Sequence, residues 1–279
     1  RFSLPMIPAQ ISFWIINASD MFFVNALCVG YGGRSGTEWS GLLSTGYFLP
    51  TILTTLGTIF YDAWQLSAVT EEHGRSRFYS NVFKSYASVM FCCAGGILWL
   101  CRPVMLIMKS SYFDAWQFVP YLTLAAVFSC FTQFMNSIYV VYKQSTHSLY
   151  TMMAGAVANC VMNYLGIVWF GPVGVTYASF LAMVLVFVLR VIDSRSMIRL
   201  RLHLPHMGVN VALLVAEAGI TLAEVPWYGL WTGLLCAVVI AYNFDGVWTL
   251  GRAILPRLLG RRAAPLVRLV DGVVQKVYH

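Results

Sequence analysis

Asn17 and Asp20 sit inside "SFWIINASDMFF" (residues 12–23), a run otherwise suited to hydrocarbon. With Gln10 they are separated by seven and three residues, so a helix places all three on one face. A carboxylate at mid-membrane depth costs roughly 2.5–3.5 kcal/mol even on the mild insertion scale, and such groups face a bundle interior or a water-filled cavity. Asp20 is roughly 13 Å of helix from the outer end of its span, too deep for so short a side chain to reach the surface. A cavity role and a buried partner both fit it.

Other polar residues fall into stripes at helical spacing. Thr51, Thr54, Thr55, Thr58, Asp62 and Gln65 form one, and Thr132, Gln133, Asn136 and Lys143 another. Gly155, Asn159 and Asn163 recur every four residues beside Ala154 and Ala158. Each stripe can be read as helix–helix glue at about 0.6 kcal/mol per hydrogen bond, and a threonine can bond to its own helix. Asp62 lies nearer a span end, where the interface can solvate it. Four such spans exceed what a packed bundle needs, and together they predict a hydrated cavity. Its candidate lining is Gln10, Asn17, Asp20, Thr58, Asp62, Gln65, Gln133, Asn136, Asn159 and Asn163. Pro50 and Pro120 fall in two of these spans, where a broken helix is tolerated if it lines a cavity. Glu217 is isolated among Leu213, Leu214 and Ile220; it is either protonated or at a groove. Glu224 and Asp245 lie at span ends.

The chain that must position these groups has 279 residues, 59% apolar and only 10% charged, with a mean hydropathy of +0.70. A soluble domain carries about 25% charged residues. Runs approaching about 20 apolar residues cross a bilayer as helices, and the alternation of a membrane β-barrel is missing from the sequence. The fold class is therefore all-α, a polytopic membrane helical bundle. Eight spans are predicted at 4–29, 39–67, 82–101, 117–142, 147–170, 172–193, 207–224 and 227–248. "GPVG" (171–174) and "VPWYG" (225–229) are tight hairpins. The chain opens at Arg1 almost directly on a span, without the layout of a signal peptide, which suggests a piece of a longer protein. The seven Cys lack metal-ligand spacing and read as packing residues with free thiols.

With eight spans, 18 Lys and Arg partition to one side except Arg34, Arg102 and Lys109. Positive charge stays in the cytoplasm, so both termini are expected there. Residues 249–279, with Arg and Leu/Val at helical spacing, read as a basic amphipathic tail on the membrane surface. Anchoring to anionic membrane lipids accounts for the net charge of +7, leaving no call for nucleic acid.

Several segments in order resemble one family. "SLPMIPAQISFWIINASD", "GLLSTGYFLP" (41–50), "AWQLSA" (63–68) and "FYSNVFKSYAS" (78–88) are followed by "AWQFVPYLTLAAVFS" (115–129), "FGPVGVTYAS" and "RVIDSR" (190–195). They resemble the C-terminal half of the bacterial polysaccharide-biosynthesis flippases, exporters of O-antigen and capsule repeat units in the multidrug/oligosaccharidyl-lipid/polysaccharide superfamily. The likeness covers roughly residues 2–200. Two departures remove positive charge: Met21 stands where the family commonly has Arg, and Phe48 where it commonly has Lys.

The resemblance implies a two-lobe flippase, with residues 1–195 as the second, six-helix lobe and 196–248 as two additional helices. It implies an undecaprenyl-diphosphate-linked oligosaccharide as substrate, moved across the bacterial inner membrane by alternating access. Partners would be the N-terminal lobe and a polysaccharide polymerase, with H+ or Na+ coupling and no other cofactor. Trp14, Tyr47 and Tyr61 could stack on sugar rings. Lys84, Arg102, Lys143 and Arg190 are candidates for the diphosphate. A drug/cation antiporter of the same superfamily is the alternative, and would bury more acid. A membrane-embedded polymerase or glycosyltransferase needs a catalytic site and a loop domain; the short loops here hold no paired carboxylates, so an enzyme is not expected.

Overall fold

In this computed structural model the described backbone comprises residues 6–70, 75–108, 110–198 and 200–259. Side chains are described within it except at 6–10, 12, 13, 17, 66–70, 75 and 253–259. The helices are α1 (Met6–Leu27), α2 (Gly36–Gly46), α3 (Phe48–Thr70), α4 (Arg75–Ile107), α5 (Val119–Val141), α6 (Ser145–Phe170), α7 (Gly174–Ser194), α8 (Leu204–Leu222) and α9 (Tyr228–Leu259). The described residues contain no strand. Five stretches are long and apolar enough to cross a membrane, or six if the bent α2–α3 pair is one span. The architecture is an all-α polytopic helical bundle.

Three features depart from the predicted spans. The second is broken: α2 and α3 meet at 43°. Pro50, the third residue of α3, cannot donate to the carbonyl of Gly46, the last residue of α2, so the ladder is interrupted where the two helices join. The third runs to 33 residues, about 50 Å, longer than a hydrocarbon core of about 30 Å. And α9 continues past Trp248 to Leu259, so the start of the basic tail extends the last helix. Residues 260–279, the rest of that tail, lie outside the described residues.

The 50-residue apolar stretch Ser145–Ser194 is an antiparallel hairpin. Its cross-links pair Gly166 with Gly174, Asn159 with Ser179, Thr151 with Arg190 and His147 with Asp193. Gly171 makes the turn at φ +66°, a conformation open to glycine. Gly166 and Gly174 are in backbone contact, and a Cβ on either would overlap the other's carbonyl.

α5 is predominantly apolar and almost wholly buried, its few polar residues facing neighbouring helices or the cavity. It packs against α3, α4 and α7. Trp64, Tyr79, Phe83, Phe131 and Phe134 cluster around its second half. α8 and α9 pack on α4, tied by Lys84–Asp245 at one end (2.6 Å) and Arg102–Glu224 at the other (3.3 Å). The loop before α2 and the segment before α5 share an end of the bundle through the Arg34–Asp114 ion pair. Overpacking a close backbone contact costs about 1–3 kcal/mol. Gly174→Val should therefore lower thermal stability in detergent by that amount, while Gly96→Ala, with open space around it, should leave the unfolding midpoint nearly unchanged.

Candidate functional site

A cavity of about 260 Å³ opens between α1, α3, α5 and α7. Tyr47, Pro50, Thr51, Thr54 and Thr58 form one wall, where the helix break turns the start of α3 inward. Ala125, Ser129 and Gln133 of α5 form the back, and Ile16 of α1 faces Ser179 and Met183 of α7. None of these side chains is charged.

The hydroxyls of the wall have a fixed polarity. Thr51 donates to Tyr47 O (2.7 Å), Thr54 to Thr51 O (3.1 Å) and Thr58 to Thr54 O (2.9 Å). Their protons are engaged within the helix, so lone pairs remain as acceptors. Gln133 adds a buried Oε1 that no donor reaches. The wall is thus rich in acceptors.

Asp20 lies one layer behind it, fully buried. Oδ2 accepts from the Tyr47 hydroxyl (2.6 Å) and from Ser179 Oγ. Oδ1 accepts from Asn163 Nδ2 (2.8 Å) and Asn159 Nδ2 (3.4 Å). Ser19 donates to Asn159 Oδ1 (2.7 Å). Neutral donors from the α2–α3 junction, α6 and α7 therefore surround the carboxylate, and no described cation is within ion-pair distance. Two of its donors, Tyr47 and Ser179, also line the cavity.

A second polar group lies toward the other end of α3, α5 and α7. Arg190 is buried, and donates to Thr132 O (2.6 Å), Ser148 Oγ (3.2 Å) and Thr151 Oγ1 (3.2 Å). Ser148 passes its proton to Asn136 Oδ1 (2.6 Å), and Asn136 Nδ2 donates to the Tyr61 hydroxyl (3.2 Å).

Of the residues expected to line a cavity, Thr58 and Gln133 are in its wall. Asp20, Asn159 and Asn163 are instead in the α1–α6–α7 seam behind it, because the carboxylate draws both amides toward itself. Asn136 is half-buried in the Arg190 network, Gln65 is half-buried, and Asp62 is exposed. The side chains of Gln10 and Asn17 lie outside the described residues. The cations expected at a diphosphate are mostly engaged elsewhere. Lys84 pairs with Asp245, and Arg102 lies between Trp116 (3.7 Å) and Tyr228 (4.5 Å) while bonding Thr221 O. Arg190 is enclosed by its acceptors, and Lys143 is exposed at the end of α5. Tyr47, considered for ring stacking, is held by Asp20 through its hydroxyl, and Trp14 is exposed. Sequence reasoning passed over Ser148 and Ser179. Each is a lone serine facing a distant helix, and only the Ala/Gly-rich hairpin hints at the approach.

These helices and this cavity define a polytopic membrane bundle with a polar site between helices. The same fold occurs in a MOP superfamily transporter from Pyrococcus furiosus, with a TM-score of 0.55 and 17% identity over 89% of this chain. That transporter is described as having a binding pocket of reversed polarity that suggests a different function. The chain spans 63% of its length. The sequence matches no protein-family model and no curated protein.

Leaving a buried polar group short of a partner costs about 1–3 kcal/mol, more when it is charged. Tyr47→Phe should therefore destabilise the protein by at least that range in thermal unfolding. Tyr164→Phe, on the exposed face of α6, should be neutral.

Proposed function

We propose that the chain is one lobe of a membrane transporter that moves undecaprenyl-diphosphate-linked oligosaccharide repeat units from the cytoplasmic to the outer leaflet for polysaccharide export. The observation that carries this reading is the uncharged, acceptor-rich wall of the cavity. Sugar hydroxyls are donors, and threonine oxygens with Gln133 can accept from them without selecting one sugar. At about 260 Å³ the cavity falls below the roughly 300–1,000 Å³ of small-molecule sites. An oligosaccharide needs more wall than this lobe supplies, and a facing N-terminal lobe would provide it. Alternating access would then rock the two lobes about the shared site. The protein would lie in the bacterial inner membrane with both ends of this chain cytoplasmic, near a polysaccharide polymerase.

The drug/cation antiporter reading is disfavoured because the cavity wall has no carboxylate. Asp20 reaches it only through the Tyr47 and Ser179 hydroxyls. Those two donors give Asp20 a coupling role. Its charge is met by four donors, so a proton or Na+ arriving there would weaken or displace them. Tyr47 and Ser179 would then shift, and the cavity wall with them. Ion occupancy and wall shape would be linked, as differential binding to two states requires.

In the complete protein, Asp20→Ala should abolish polysaccharide export, read as surface polymer in a strain lacking the native gene. Asp20→Asn should retain export only if no ion binds at this carboxyl. Wild-type export by Asp20→Ala would reduce Asp20 to a packing residue and remove the coupling role.

A further inference from the structure

The network that starts at Arg190 runs in one direction. Arg190 donates to Ser148, Ser148 to Asn136, and Asn136 to Tyr61. Each member accepts from the side of the guanidinium and donates away from it, and such chains polarise their members cooperatively. The Tyr61 hydroxyl is the last member. It accepts from Asn136, and no described hydrogen bond uses its own proton.

The position of Tyr61 matters as much as its polarity. It follows Thr54 and Thr58 of the cavity wall at helical spacing, and Asn136 follows Ser129 and Gln133 in the same way. The Tyr61–Asn136 bond therefore bridges α3 and α5 one turn beyond the cavity, at the end toward which positive charge collects in the sequence. Tyr61 is half-buried and lies just outside the cavity lining, one turn beyond Thr58. The neighbouring carboxylate, Asp62, is exposed, one residue and about 100° around the helix. Asp193, one turn from Arg190, is engaged by His147 at 2.9 Å.

Arg190 itself has no carboxylate within ion-pair distance among the described residues. A buried cation without a counter-charge is costly, and here oriented dipoles and the face of the Tyr139 ring, 5.7 Å from the guanidinium, offset it. The outer end of those dipoles is where an incoming negative charge gains most.

We propose that the Tyr61 hydroxyl, oriented by Asn136 and polarised by Arg190, is an oxyanion subsite one turn beyond the inner end of the cavity, suited to a phosphate oxygen. This rests on reading the cavity as a transport site and adds a place for the charged part of the cargo. Arg190 is a positioning residue in it, and Tyr61 makes the contact. The phosphate oxygen could belong to a lipid diphosphate or to a free anion.

The complete protein in lipid nanodiscs would be titrated with inorganic pyrophosphate, undecaprenyl diphosphate and uncharged undecaprenol, read by intrinsic tryptophan fluorescence. Tyr61→Phe should weaken binding of at least one of the two anions about tenfold, the loss of roughly one hydrogen bond to a charged group. Undecaprenol binding should not change. Arg190→Lys, which keeps the charge but not the fork, should give a smaller loss, with an unfolding midpoint showing that it is folded. A loss for undecaprenyl diphosphate assigns the subsite to the lipid headgroup. A loss confined to pyrophosphate keeps the subsite but sinks the lipid-linked cargo. Unchanged affinity for both anions in Tyr61→Phe, or no binding of either to the wild type, overturns the proposal.

Discussion

A carboxylate at membrane depth needs its charge answered, and around Asp20 that demand organises the lobe. The answer comes from hydrogen bonds rather than from an ion pair. Four donors converge from three separate places in the chain: the α2–α3 break, α6 and α7. The break must therefore turn Tyr47 inward, which the missing Pro50 donor permits. The α6–α7 hairpin must also be tight enough for Ser179 and both asparagines to reach one carboxylate. The Gly166–Gly174 contact sets that closeness two turns or fewer from Ser179 and Asn163. Dry packing, helix bend and charge compensation are three views of one requirement.

One face of α3 connects this carboxylate to the guanidinium at the other end. Tyr47, Thr51, Thr54, Thr58 and Tyr61 recur at steps of three and four. The first donates to Asp20, the last accepts from the Arg190 chain, and the three threonines between them show acceptors to the cavity. The cavity wall is thus electrically graded without carrying a charge. Buried charges set behind neutral side chains can shape the potential inside while avoiding a tight ion pair with any one ligand.

The class of fold was legible in the sequence because it depends on composition and span length alone, and each predicted span is helical, the second as two helices, α2 and α3. The α3 stripe was legible nearly in register. The sequence stripe continues from Thr58 to Asp62 and Gln65, a step of four where the structure takes a step of three. The true line passes through Tyr61, about 100° from the exposed Asp62. Side-chain convergence was the part that sequence could not supply. Asp20 meets residues about 140 positions away, and a single serine in α7 carries no periodic mark. The cations illustrate the same limit. Arg102 and Lys84 are candidates for a diphosphate in the sequence, yet the packing of α8 and α9 on α4 gives both a structural partner.

Met21 and Phe48, where the sequence departs from the flippases it resembles, gain a physical setting in this geometry. Met21 is partly buried among Val24, Trp39 and their neighbours, and Phe48 is exposed beside the helix break. Cations at these two positions would sit at the Asp20 end of the cavity, where one could pair with the carboxylate. Without them, Asp20 depends on neutral donors, and positive potential in the cavity is displaced toward the Arg190 end. A negatively charged group entering this lobe is then drawn away from Asp20 rather than toward it.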